Sequence, residues 1–221
     1  MLEWQDAVNT IFPCTFSTVF SGGKTMSVSL SKGQSVSLAK EAPSLARLHV
    51  GLGWDPVKKG GGLLGKVFGG GGSDSIDLDA SMILVDGNKR VLDSVWFRQL
   101  SSRDGSVKHS GDNLTGDGDG DDEVIRVDLT RVPQEVAHLV VTVNSFRGQT
   151  FNEVDNAFCR LVDEATKKEL CKFELREKGS NTGFVMAVIS REGNGWTVKA
   201  LGAPTNGRTV QDIAAPALAL I

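Results

Sequence analysis

The residues of this chain with the most chemical potential are crowded into one stretch. From Gly111 to Glu123 the sequence reads GDNLTGDGDGDDE. No Lys or Arg stands between His109 and Ile125, while Asp112, Asp117, Asp119, Asp121, Asp122 and Glu123 all do. Two carboxylates about 6 Å apart in water repel by about 0.7 kcal/mol, and by more where they are partly buried. The interleaved glycines add backbone entropy. Such a segment has two physical solutions: it stays solvated and disordered, or it gathers around a hard cation that takes roughly six to eight oxygen ligands. Ligand density favours the cation. The segment holds no Lys, Pro or run of Ser, and it leads straight into strand-like residues from Val124 to Leu129.

All-oxygen ligation selects calcium or magnesium over zinc or copper. A dense protein cage favours calcium, because magnesium keeps its waters. Asp77 and Asp79 lie on one face of a candidate strand and are further carboxylate donors; plain solvent-facing polarity is the competing reading. The acids exceed the needs of one divalent ion, so one or two calcium ions are expected. The segment is not an EF-hand. Counting from Asp117 places Asp122 where that loop needs glycine and Asp128 where it needs glutamate, and flanking helical patterns are missing.

Other motifs carry less. GGGLLGK at 60–66 satisfies the start of a phosphate loop, but Val67 stands where a hydroxyl must hold magnesium, and four glycines soon follow. A glycine loop is the better reading, with Leu63, Leu64, Val67 and Phe68 as an apolar tip. His49, His109 and His138 are scattered, as are Cys14, Cys159 and Cys171, and no pair has zinc-ligand spacing. His49 and Cys159 read as core or strand residues. With no nucleophile elbow and no candidate base, an enzyme is not expected.

Positioning these residues falls to strands. The chain has 221 residues, ample for a core, and 40% are hydrophobic. Glycine is abundant at 26 residues, which points to many tight turns and β architecture. Residues 76–85 (IDLDASMILV) alternate Ile76, Leu78, Ala80, Met82 and Leu84 against Asp77, Asp79 and Ser81, as a half-buried strand does. Further strands are expected near 28–30, 36–38, 46–52, 89–97, 123–129, 138–144, 170–175, 183–190 and 194–201. The fold class this implies is all-β, an antiparallel β-sandwich with few short helices. Residues 152–170 are ambiguous: Val154, Phe158, Leu161 and Val162 have helical spacing, yet AFCRLV also suits a strand. Residues 1–25 read as a poorly ordered or peripheral extension, 26–205 as the domain, and 206–221 as a C-terminal tail or short helix.

Composition narrows the partners. Against 24 basic residues stand 27 acidic ones, a net charge of −3, which argues against a generic nucleic-acid binder. Outside the acidic window the body is slightly positive. No run approaches the length of a membrane helix. Glu3 and Asp6 stand where a signal peptide needs positive charge, and an odd cysteine count fits a reduced, cytoplasmic compartment.

The motifs together resemble the tellurium-resistance TerD domain family of bacterial stress proteins. The likeness begins with MSVSLSKGQSVSL at Met26. It continues through Ala42-Pro43-Ser44-Leu45, Gly51-Leu52-Gly53-Trp54-Asp55, Asp77-Leu78-Asp79-Ala80-Ser81 and Asp104-Gly105-Ser106-Val107. It then takes in the acidic segment, Val132-Pro133 and Asn156-Ala157-Phe158. It covers most of 26–202. The resemblance implies a β-sandwich with calcium-binding acidic loops and a cytoplasmic role in resistance to tellurite and other stresses. It implies as metal ligands Asp77, Asp79, Asp104, Asp112, Asn113, Asp121, Asp122 and Glu123, with Asp55, Asp117 and Asp119 as second choices. It reads 154–162 as a strand. Residues 57–75 are a glycine-rich insertion relative to the family. Asn144 and Ser145 stand where the family often has an acid. The function expected is a non-enzymatic calcium-binding module for other stress-response proteins, with peripheral attachment to anionic membrane surfaces as the alternative.

Overall fold

Apolar residues at period two build most of this molecule. The computed structural model describes residues 27–57, 76–111 and 120–221. Residues 1–25, the GGGLLGK motif and most of the 57–75 insertion lie outside the described residues, as do Asp112, Asn113, Asp117 and Asp119. The elements in chain order are β1 (Val28–Leu30), β2 (Ser35–Ser37), α1 (Leu38–Glu41), β3 (Arg47–Pro56), β4 (Leu78–Asp86) and β5 (Val91–Val95). Then come β6 (Val107–His109), β7 (Glu123–Asp128), β8 (Val136–Ser145), a 3-10 turn (Phe151–Glu153), β9 (Val154–Asp163), β10 (Glu169–Glu174), β11 (Gly183–Glu192), β12 (Gly195–Thr205) and α2 (Val210–Leu218). They form two six-stranded sheets, ordered β1-β10-β9-β3-β7-β6 and β2-β12-β11-β8-β4-β5. β1 joins β10 in parallel; the other pairings are antiparallel.

The expected antiparallel β-sandwich is what forms. Leu48, Val50, Leu52 and Trp54 on β3 meet Met82 and Leu84 on β4 and Leu139, Val141 and Val143 on β8 in one core. The ambiguous stretch after Asn152 is strand β9, paired with β3 on one side and β10 on the other. Its helix-like spacing has a physical cause. Leu161, Val162 and Asp163 are all buried at one end of a central strand, so apolar residues need not alternate strictly there.

One expectation is corrected. Every residue of β4 is buried, so the solvent-facing reading of Asp77 and Asp79 fails: they are 4% and 3% exposed. Of the two readings of residues 206–221, tail or short helix, a helix is what forms. Asp212 accepts the N–H groups of Arg208 and Thr209 and starts α2. The helix then lays Val210, Ile213 and Ala217 on the outer face of the second sheet, against Ile83, Val85, Val140, Val185 and Val188.

The register fixes two ends for the first sheet. On β3 and β7, Leu52 faces Glu123 at one end and Arg47 faces Asp128 at the other, roughly 17 Å apart along a six-residue strand. Turn carboxylates hold the remaining connections. In the β4–β5 turn, the Arg90 N–H keeps the Asp86 carboxyl below its ordinary value, opposed by burial and helped by the Arg90 guanidinium and the Asn88 N–H.

Ile213 is fully buried, so Ile213→Ala is expected to cost about 2–5 kcal/mol in urea unfolding; an unchanged midpoint would mean α2 does not belong to the folded unit. Because the folded carboxyl of Asp86 is depressed, its contribution is complete above the unfolded value of 3.8 and is lost as pH falls through the lower folded value. Asp86→Asn therefore melts below wild type at neutral pH, and the gap between the two narrows in melts run progressively below about pH 4.

Candidate metal centre

The acidic window begins its described part at Gly120, where the chain must lie flat on β3. Glycines make this possible. A Cβ on Gly51 would sit 2.2 Å from the Asp121 Cγ, and one on Gly53 would sit 2.6 Å from the Gly120 carbonyl oxygen. The GLGWD motif thus clears a shelf for residues 120–121. Asp121 uses it to reach Arg160, whose Nε and Nη2 donate to its two oxygens at 2.7 and 3.0 Å. His49 Nε2 lies 3.6 Å from the same carboxylate.

The next two acids turn the other way. Asp122 Oδ2 accepts the Trp54 N–H at 2.8 Å, and its own N–H donates to the Leu52 carbonyl at 2.8 Å. Trp54 in turn donates its indole N–H to the Ile76 carbonyl at 3.1 Å, tying the end of β3 to the chain entering β4. Burial raises the Asp122 carboxyl above its ordinary value; the Trp54 N–H works against the rise, and the carboxylates of Asp55, Glu123 and Asp121 add to it.

Glu123 is fully buried and crosses from one sheet to the other. β5 pairs with Met82–Val85 and stops short of Ala80. Glu123 Oε2 accepts the Ala80 N–H at 2.6 Å, and His109 Nε2 lies 3.1 Å from the Ala80 carbonyl. Gly111 donates its N–H to His109 Nδ1 at 3.1 Å, so the network assigns the histidine proton to Nε2. That proton is aimed at the Ala80 carbonyl and at Glu123 Oε2, 3.3 Å away. One residue of the second sheet, Ala80, is thus gripped at both its N–H and its C=O by side chains of the first.

Asp77, just before β4, and Asp79 on it alternate with Leu78 and Ala80, and so face the outer side of the second sheet. Arg147 Nε lies 3.1 Å from Asp77 Oδ2. Asp79 pairs in register with Asn144, which donates its amide to Asp79 at 3.2 Å and to the Arg208 carbonyl at 2.8 Å. An acid at 144 would face Asp79 as a like charge; asparagine supplies a donor instead. Around this pair lie buried oxygens that accept no hydrogen bond: Asn144 Oδ1, Ser81 Oγ and Thr142 Oγ1. Ser81 and Thr142 are themselves cross-strand partners.

Asp122 and Glu123 thus stand together at the ends of β3 and β7, while Asp77 and Asp79 lie buried at the start of β4 on the outer face of the second sheet. Asp104 is far from both; its carboxylate accepts the Ser106 N–H at 2.7 Å in the turn before β6. Arg131 donates to the Asp104 carbonyl, and Ser106 bonds Asp128, so this turn sits at the opposite end of the sheet. Asp104 is a turn residue, and Asp121 is the partner of Arg160 on the outer face. Asp55, a second choice, accepts the Asn156 amide at 2.7 Å. Sequence reasoning missed His109 and Arg160, while Asn144 was noted only as a departure from the family. Alternation within VKH (Val107–His109) carried the first, since Lys108 points out and its neighbours point in; Arg160 needed the register.

Among the described residues, no group of three or more His, Cys, Asp or Glu side chains converges closely enough to hold an ion. The donor chemistry nevertheless fits a hard divalent cation: buried carboxylates with buried amide and hydroxyl oxygens beside them, and no thiol. Cys159 and Cys171 lie elsewhere, in the core, where burial pushes the Cys171 thiol up to about 12 and the Cys159 thiol higher. No helix among the described residues is long and apolar enough to cross a membrane.

Comparison with known proteins agrees with this architecture. A model of the TerD domain matches residues 26–215. The tellurium resistance protein TerZ of Serratia marcescens is 57% identical over 84% of this chain and 94% of its own. The stress response protein SCP2 of Bacillus subtilis is 44% identical over 85% of this chain and 98% of its own. The tellurium resistance protein TerD of Serratia marcescens is 40% identical over 80% of this chain and 90% of its own. A crystal structure of a TerD homologue from Streptomyces coelicolor superposes with a TM-score of 0.60 at 22% identity, covering 77% of this chain and 96% of that one. The two-sheet scaffold, the acidic corner and a family match spanning nearly the whole described sandwich make this chain a member of the TerD family of tellurium-resistance and stress-response proteins.

Proposed function

We propose that this protein serves its stress response by binding rather than by catalysis, and that its acidic corner takes calcium, one or two ions per chain. The observation that carries the reading is the crowding of acids around the start of β7: Glu123 is fully buried, the carboxylates of Asp55, Glu123 and Asp121 add to the rise that burial imposes on the half-buried Asp122, and Asp77 and Asp79 are buried on either side of Leu78. Carboxylates held this close repel one another, and more so when partly buried. Calcium, when bound, removes that repulsion and prefers oxygen donors.

In this reading each group of the chain has a task. Glu123 ties the corner to both sheets, and Trp54 aims Asp122. Asn144 keeps Asp79 oriented without adding charge. Asp112 and Asn113, outside the described residues, are the further donors the proposal needs. With the charge compensated, 111–123 becomes a surface on which a partner protein of the stress response docks in the cytoplasm. Attachment to anionic membrane has no comparable support, because its apolar tip lies outside the described residues.

The reading predicts a reversal of sign. In protein stripped of divalent ions, Asp122→Asn melts at or above wild type, since it removes one charge from a crowded set and keeps an oxygen for the Trp54 N–H. In millimolar calcium it melts below wild type, because wild type alone gains the binding free energy, about 2.7 kcal/mol at a hundredfold excess over Kd. Thermal melts that rank the two proteins alike in both conditions would contradict the proposal. Asp104→Asn, at the far end of the sheet, is expected to keep the full calcium shift.

A further inference from the structure

At the end of the first sheet away from the acidic corner, a groove of about 440 Å³ opens on the outer face. Arg47, Lys108, Arg126 and Arg131 line it, offset by Asp128 and Glu164. That leaves two positive charges in excess on a chain whose net charge is −3.

The carboxylates are already engaged. Asp128 accepts the Thr130 hydroxyl at 2.6 Å and faces Arg47 across the strands. Glu164 is shared by His49 at 2.9 Å, Lys167 at 3.0 Å and Arg126 at 3.4 Å. Lys108 stands directly opposite Arg126 in the β6–β7 register. Like charges directly opposed on one face destabilise a sheet, and Lys108 forms no ion pair among the described residues. Ser106, which lines the groove, is 2% exposed, and its hydroxyl has no hydrogen-bond partner.

From this we infer that the groove binds the diphosphate group of a small phosphorylated ligand. Guanidinium forks on Arg126 and Arg131 match phosphate oxygens two at a time. An anion seated between Lys108 and Arg126 turns their repulsion into shared attraction, and Ser106 supplies a neutral donor. Two or more negative charges on the ligand balance the excess on the groove. The volume is that of a small-molecule site. No aromatic side chain lines it, so recognition falls on phosphate and not on a stacked base. The inference stands apart from the calcium proposal, which concerns the opposite end of the sheet.

Calorimetry with inorganic pyrophosphate as probe, on full-length protein stripped of divalent ions, tests it. One pyrophosphate per chain is expected, binding about tenfold tighter than sulfate, with Lys108→Ala and Arg126→Gln each weakening it about tenfold. Ligand-free Lys108→Ala is expected to melt no lower than wild type, since the exposed Lys108 gives up repulsion. Asp122→Asn leaves pyrophosphate binding unchanged, which separates this result from the calcium reading. Absence of heat, equal affinity for sulfate, equal affinity in the Lys108→Ala protein, or a clearly lower melting point for that variant would each overturn the inference.

Discussion

A buried carboxylate that bridges two sheets is the constraint on which the rest of this molecule depends. Glu123 leaves the start of β7, on the first sheet, and accepts the N–H of Ala80 on the second, while His109 takes the carbonyl of the same residue. A β-sandwich is otherwise held by apolar contact, which does not fix the sheets to a particular register. Two charge-assisted or ring hydrogen bonds to the backbone of one residue do fix it. Leaving a buried member of such a set unpaired costs about 1–3 kcal/mol, and more for a charged one. The acidic segment is thus attached to the fold through a group that the fold needs.

That attachment sorts the acids by task. Asp121 goes outward to Arg160 and locks the strand onto the glycine shelf of β3. Asp122 goes sideways to Trp54, and Glu123 goes inward. Asp121 and Asp122 precede the strand that Glu123 begins, so the three carboxylates can take different directions. Asp77 and Asp79 then arrive from β4 on the far face of the second sheet, where Asn144 receives one of them. Charge of the opposite sign collects at the other end of the first sheet, where Lys108 and Arg126 oppose each other. The slightly positive body inferred from composition is concentrated in this groove.

Much of this was legible in the residues. Alternation in IDLDASMILV announced β4, and the charge density of 111–123 announced the acidic corner. The family motifs settled β9 where periodicity pointed to a helix. Burial was not legible, because polar residues at alternate positions look identical whether water or a helix covers them. Asp79 and Ser81 are covered for reasons set by α2 and by cross-strand partners, which lie far away in sequence. The placement of Asp104 was equally hidden: the resemblance implied a ligand, and the structure puts it in the turn before β6, at the end of the sheet away from Glu123. His109 looked like one of three scattered histidines until the strand pairing set it against Ala80.

The most direct test of the central claim is the calcium content of purified full-length protein after equilibrium dialysis, with hydrogen exchange of the Ala80 amide followed in the same samples. The account predicts one or two calcium ions retained per chain, little competition from magnesium, and slower exchange at Ala80 once calcium is present. A protein that keeps Ala80 protected yet retains no calcium would show that the carboxylate bridge serves the fold alone, and would contradict the account.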